Sequence, residues 1–128
     1  MPDTEKITIN LSAVDLGRID LLSNEGFYSN RTDFIRTAIR KELDAQRDVL
    51  EKSVSRHAAA IGYVVYSRES LERLKKKRQK VDLSVVGCLQ LTRDIPPELA
   101  VSTIQSLKVH GVLRASQAVK DALADRIL

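Results

Sequence analysis

The sequence predicts an α+β fold in two parts, and three observations carry that prediction. Residues 6–11, Lys-Ile-Thr-Ile-Asn-Leu, alternate polar and apolar side chains, the period of a half-buried strand. Two segments with helical apolar spacing follow, each opened by a capping signal. In the second half, apolar residues and a glycine recur at an offset of 24 positions, as stacked copies of one supersecondary unit would.

The first strand organises the rest. Ile7, Ile9 and Leu11 fall on one face, and Lys6, Thr8 and Asn10 on the other. One short strand cannot satisfy its backbone or bury a face alone, and no similar strand follows within hairpin distance. The economical partner is the same strand of a second chain. A two-stranded antiparallel ribbon then presents Lys6, Thr8 and Asn10 twice about a twofold axis. Such a ribbon fits the major groove of double-stranded DNA, where these side chains can read base edges.

Ser12-Ala13-Val14-Asp15 reads as a capping box, and a helix runs on through Leu16, Ile19 and Leu22. Gly26 ends it, where a positive φ is wanted. After Phe27-Tyr28, either Ser29 or Asn30 caps a second helix, and Asn30 with Asp33 makes another capping box. Phe34, Ile35, Ala38, Ile39 and Leu43 form its expected buried face. No Gly or Pro occurs from 27 to 61, and Val49, Leu50, Val54, Ala58 and Ile61 continue the stripe. The helix, or a helix with a short break, is therefore expected to reach about Ala59.

In this order and spacing, residues 5–45 resemble the ribbon-helix-helix family of bacterial DNA-binding proteins. The resemblance rests on Lys-Ile-Thr-Ile-Asn-Leu-Ser, the Gly26 turn and the run from Asn30 to Arg40. It implies that Lys6, Thr8 and Asn10 read bases, and that Ser29, Asn30 and Arg31, at the amino end of the second helix, hold a phosphate. The free N–H groups of a helix start attract anions in any case. The expected architecture is a ribbon-helix-helix domain over 1–50, followed by a strand-helix repeat domain over 60–128.

In that second part, Ile61–Tyr66, Val85–Leu91 and Leu107–Ala115 read as strands. Helices are expected at about 68–79, from Pro96-Pro97 through Ile104, and at about 117–126. At the 24-residue offset Leu83 matches Leu107, Val85 matches Val109, Gly87 matches Gly111, Leu89 matches Leu113, Ile95 matches Val119 and Leu99 matches Leu123. A weaker earlier copy is read at the same offset, with Ile61, Val65 and Leu71 preceding Val85, Leu89 and Ile95. Stacked strand-helix units bury a continuous core and invite self-association when few. The runner-up is a small α/β sandwich like the ligand-binding domain that follows this module in some metal-responsive regulators.

Composition narrows the function classes. The chain has 128 residues, 43% of them hydrophobic, and a net charge of +4. Residues 1–50 hold 7 basic and 9 acidic side chains, against 14 and 8 in residues 51–128. DNA contact by the first part therefore depends on local placement of charge, not on a basic domain. A single cysteine suits a reducing cytoplasm. No apolar run reaches membrane-spanning length, and residues 1–5 read as a loose arm without a secretory signal.

Lys75, Lys76, Lys77 and Arg78 lie in the densest charge run. It reads first as solvated helix surface, and second as a further set of phosphate contacts. His57, Cys88 and His110 are the only soft or borderline ligands; Cys88 and His110 could approach each other across the repeat, but one His and one Cys lack the clustered His-rich set of a metal site, Cys88 reading as a small core residue. No nucleophile-base motif or phosphate-binding glycine loop occurs, so neither enzyme activity nor a cofactor is expected. The expected function is a dimeric, sequence-specific DNA-binding regulator, a repressor, whose C-terminal repeats join dimers or bind a protein partner. The rival is an antitoxin or other interaction module in which the second half masks a partner and DNA binding is secondary.

Overall fold

The structure, a computed structural model, describes residues 4–57 and 59–128. Among these residues are six helices and a three-stranded parallel sheet, and the chain divides into two compact units between Asp48 and Val49. Ala58 of the expected stripe, and the first three residues of the expected arm, lie outside the described residues.

In the first unit, residues 4–11 form neither helix nor strand. The expected strand at 6–11 therefore lacks a ladder within one chain, because no segment among the described residues pairs with it. Helix α1 (Ala13–Asn24) starts at Ser12, whose Oγ accepts the Asp15 N–H at 3.1 Å. It ends in a Schellman turn: Phe27 N–H donates to Leu22 O, Gly26 N–H to Ser23 O, and Gly26 takes φ +86°. Helix α2 (Arg31–Ala45) is capped by Asn30. Gln46 separates it from α3 (Arg47–Arg56), so the long helix is broken once and ends short of Ala59.

The face of α2 expected to be buried is not buried within this chain. Phe34 and Ile35 are half-covered, Phe34 by an edge-on contact with Tyr28 at 5.0 Å between ring centres. Ala38, Ile39 and Leu43 are exposed. Ile19 is the one hydrophobic residue buried among those described in this unit.

The second unit contrasts with this. Strand β1 (Ala60–Tyr66), α4 (Arg68–Lys76), β2 (Val81–Leu91), α5 (Pro97–Thr103), β3 (Ile104–Arg114) and α6 (Gln117–Ala122) alternate strictly. The strands are parallel and lie in chain order, as stacked strand-helix units require. Leu83, Val85, Leu89 and Leu91 of β2 share one core with Leu107 of β3 and with Leu71, Leu99, Val119 and Leu123 from the helical layer. Each such side chain contributes roughly 1.5–3 kcal/mol by leaving water. Pro96 and Pro97 open α5 as expected, since a first-turn N–H is dispensable. The last helix is shorter than expected. Beyond it the chain turns back, and Arg126 Nη1 donates to Ile104 O at 2.8 Å and to Val101 O.

The pairing of β2 with β3 keeps the 24-residue offset: Leu83 faces Leu107, Val85 faces Val109 and Gly87 faces Gly111. The earlier copy is different. Ile61 pairs with Val86, Gly62 with Gly87 and Val64 with Leu89, an offset of 25. The match of Ile61 and Val65 to Val85 and Leu89 is thus overturned. A one-residue slip moves a side chain to the other face, so Val64 and Tyr66 pack on the core while Ile61 and Val65 face away from it.

The glycines set this register. Gly62, Gly87 and Gly111 have φ of +124°, +134° and +124° and stand in one row across the sheet. A Cβ on Gly87 would lie 2.2 Å from Gly62 O, and one on Gly111 would lie 2.0 Å from Gly87 O. The row can hold nothing larger than glycine at either inner junction.

Candidate nucleic-acid interface

The residues expected to read bases project from the segment before α1. Lys6, Thr8 and Asn10 are all exposed. So are the apolar residues between them: Ile7 is 73% exposed, Ile9 55% and Leu11 38%. Alternation predicts one wet face and one dry face; within a single chain both are wet. Large apolar side chains clustered at the surface in this way mark an interaction surface. Val14, Leu21, Phe27, Ile39 and Leu43 extend the exposed apolar set.

The second expected group lies at the start of α2. Asn30 is the N-cap, with its Oδ1 accepting the Asp33 N–H at 2.8 Å. Asp33 Oδ2 accepts the Ser29 N–H at 2.9 Å. The reciprocal bond of this capping box thus falls on Ser29 instead of on Asn30. These bonds fix the turn and use the N–H groups of Ser29 and Asp33. The N–H groups of Arg31 and Thr32 lie in the first turn, where the helix supplies no acceptor.

Arg31 itself is engaged. Its Nε and Nη2 donate to the two carboxylate oxygens of Asp20, each at 2.9 Å. This planar pair ties α1 to the start of α2. The hydrogen bond from Arg31, and then its charge, hold the Asp20 carboxyl below its usual range, and the same contacts raise the guanidinium. A phosphate at this helix start therefore meets a guanidinium already shared with Asp20. Sequence reading missed Asp20, because 11 positions separate it from its partner and no local spacing links them.

Lys75, Lys76, Lys77 and Arg78 belong to the second unit, at the end of α4 and the turn after it, and all four are exposed. Cations there offset the negative carboxyl end of the helix. Arg78 takes φ +54° in a second Schellman turn, its N–H donating to Lys75 O while Gln79 N–H donates to Leu74 O. Of the residues weighed as metal ligands, Cys88 and His110 are diagonal neighbours on adjacent strands, and His57 lies outside the sheet. His57 hydrogen-bonds Ser53 O, Cys88 pairs across the sheet with Val112, and His110 pairs with Val86. Among the described residues no group of three or more His, Cys, Asp or Glu side chains is placed to hold a metal, and no helix is long and apolar enough to cross a membrane.

No curated protein and no solved structure matches this chain. A family model does: that of the Ribbon-Helix-Helix transcriptional regulator family matches residues 2–120, nearly the whole chain, and the protein accordingly belongs to this family of non-enzymatic, DNA-binding regulators of transcription.

Proposed function

We propose that the protein is a dimeric, sequence-specific repressor in which residues 6–11 of two chains pair as an antiparallel ribbon and enter the major groove. The single observation that carries this reading is the missing core of the first unit. Ile7, Ile9 and Leu11 are exposed within one chain, while Ile19 is the one buried hydrophobic among the described residues of that unit, so a second copy is the simplest cover for their face. Pairing two such segments also turns Lys6, Thr8 and Asn10 toward one side, where Lys and Asn can discriminate guanine and adenine. Residues 1–50 then form the DNA-binding and dimerisation domain, and residues 60–128 the assembly domain. Ser29, Asn30 and Arg31 position the dimer on the phosphate backbone. Lys75, Lys76, Lys77 and Arg78 add weaker phosphate contacts. An operator occupied in this way is closed to other proteins, which favours repression. The rival reading, an antitoxin with a partner-masking tail, is less favoured because the second half buries its own core.

The test is DNA binding by a full-length protein carrying Lys6→Ala, Thr8→Ala and Asn10→Ala together. Genomic fragments retained by the wild type supply the cognate site. Each lost base contact costs about 1–3 kcal/mol, while dimerisation and thermal stability stay nearly unchanged. Wild-type affinity in the triple variant refutes the ribbon reading. In a second arm, Lys75, Lys76, Lys77 and Arg78 are replaced by Gln, and binding is followed against salt. A shallower salt slope supports phosphate contact there; an unchanged slope returns those residues to solvated surface.

A further inference from the structure

The sheet of the second unit has two edges, and they fit each other. β1 forms one edge: seven residues, Ala-Ile-Gly-Tyr-Val-Val-Tyr, without a charge or a proline. Natural edges are usually guarded by such residues, and an unguarded apolar edge pairs with further strands. β3 forms the other edge, and half of it is closed. Leu107 N–H donates to Arg126 O, Leu128 N–H donates to Leu107 O, and Ile127 bridges Leu107 in the parallel sense. Among the described residues, no strand lies beyond residues 109–113.

The open stretch of β3 matches what β1 pairs with inside the chain. Ala60 opposes Val85, and Val85 opposes Val109. β1 thus covers the half of β2 that corresponds to the uncovered half of β3.

The glycine row supplies the register. The missing Cβ of Gly111 faces Gly87 O and that of Gly87 faces Gly62 O, but the same position on Gly62 has nothing within 4 Å. Continued by one repeat, the row directs the Gly111 carbonyl out of the β3 edge. The β1 edge therefore has a hollow, and the β3 edge has the carbonyl that fills it.

We propose that second units add head to tail, with β1 of one copy pairing in parallel with residues 109–113 of another, so that Gly62 faces Gly111. The occupant of the β1 edge is thus a second copy of this chain. Ile61 then lies opposite His110, Tyr63 opposite Val112 and Val64 opposite Leu113. The core-facing side continues across the joint through Val64 and Leu113, both of which already pack on the core within one copy. The joint is heterologous and does not close on itself by a twofold. Twofold pairing of β1 with β1 would be antiparallel and would bring no Gly111 carbonyl to the hollow. The joint depends on the second unit alone, so the DNA-reading proposal and this one fail separately.

The test uses full-length protein with Cys88→Ser as background. One preparation carries Ile61→Cys and another carries His110→Cys. They are mixed, treated with a short bis-maleimide, and analysed as cross-linked species. Circular dichroism verifies the fold of each, and DNA binding is measured in parallel. The expected dominant product joins the two different variants, and each variant alone gives almost none. Wild-type protein is expected to sediment beyond a dimer as concentration rises, and Gly62→Ala to abolish that growth. Efficient cross-linking of the Ile61→Cys variant to itself overturns the proposal in favour of twofold edge pairing. Absence of the mixed product from folded protein also overturns it, whatever the DNA-binding result.

Discussion

In the second unit, Leu71, Leu89, Ile104 and Leu107 are entirely buried, and three short helices suffice to cover one face of the sheet. In the first unit, two well-capped helices enclose Ile19 and leave Ile7, Ile9, Ile39 and Leu43 in water. Good local structure is present in both. Ser12 and Asn30 cap their helices as correctly as Ser67 and Ser116 cap theirs. Capping and helical periodicity therefore do not decide whether a unit is complete. Completeness is decided by whether each apolar stripe finds a second layer, and in the first unit the described residues of one chain supply none; the proposed dimer would supply it.

The largest expected effect breaks this comparison where it is most exposed. Ile9→Asp changes a residue that is more than half in water within one chain. On an isolated unit, a surface change of this kind stays within about 0.5 kcal/mol. Between two ribbons it leaves an unpaired charge in a shared core, at a cost of about 3–5 kcal/mol. Loss of the dimer in sedimentation, with loss of helix signal from the first unit, is the expected outcome. A next-largest effect comes from Leu107→Ala in the second unit. Its side chain is fully buried, and the change costs about 2–5 kcal/mol in urea unfolding, measured at protein concentrations low enough that second units do not associate.

The smallest effect compares the two Schellman turns. Gly26 occupies the left-handed position of one, and Arg78 that of the other. A left-handed conformation costs a side-chain-bearing residue about 1–2 kcal/mol, partly offset by the greater freedom of glycine when unfolded. Arg78→Gly is therefore expected to stabilise the second unit by about 0.5–1 kcal/mol, read as a small rise in urea midpoint.

How far the sequence reveals all this follows the range of each interaction. Caps and turns are short-range, so Ser12, Gly26 and Asn30 could be placed from their neighbours alone. The strand-helix alternation after Ala60 was readable because Leu83, Val85, Gly87 and Leu89 recur as Leu107, Val109, Gly111 and Leu113. The phase of β1 was not readable from apolar residues, because Ile61, Tyr63, Val64, Val65 and Tyr66 favour a strand on either face. Only the alignment of Gly62 with Gly87 fixes it, and apolar matching favours the wrong offset by one. Asp20 was missed for a related reason: its tie to Arg31 exists only once α1 and α2 are folded together. Lys6, Thr8 and Asn10 were legible as a pattern, since alternation alone puts them on one face of an extended segment.

The glycine row also constrains how such a chain can lengthen or shorten over evolutionary time. One residue, Ser67, separates β1 from α4, whereas five, Thr92 to Pro96, join β2 to α5, and there Thr92 and Asp94 are linked by a hydrogen bond of 2.6 Å. Connections outside the row can thus gain or lose single residues, as the offsets of 25 and 24 record. Within a strand, an insertion beside the glycine displaces it from the row unless a bulge absorbs the extra residue, as happens at Gln105 between the Val81–Ile104 and Asp82–Ser106 pairs. Away from such bulges the strands keep the row only when the domain grows by whole strand-helix units, each bringing its own glycine, so its size changes in steps.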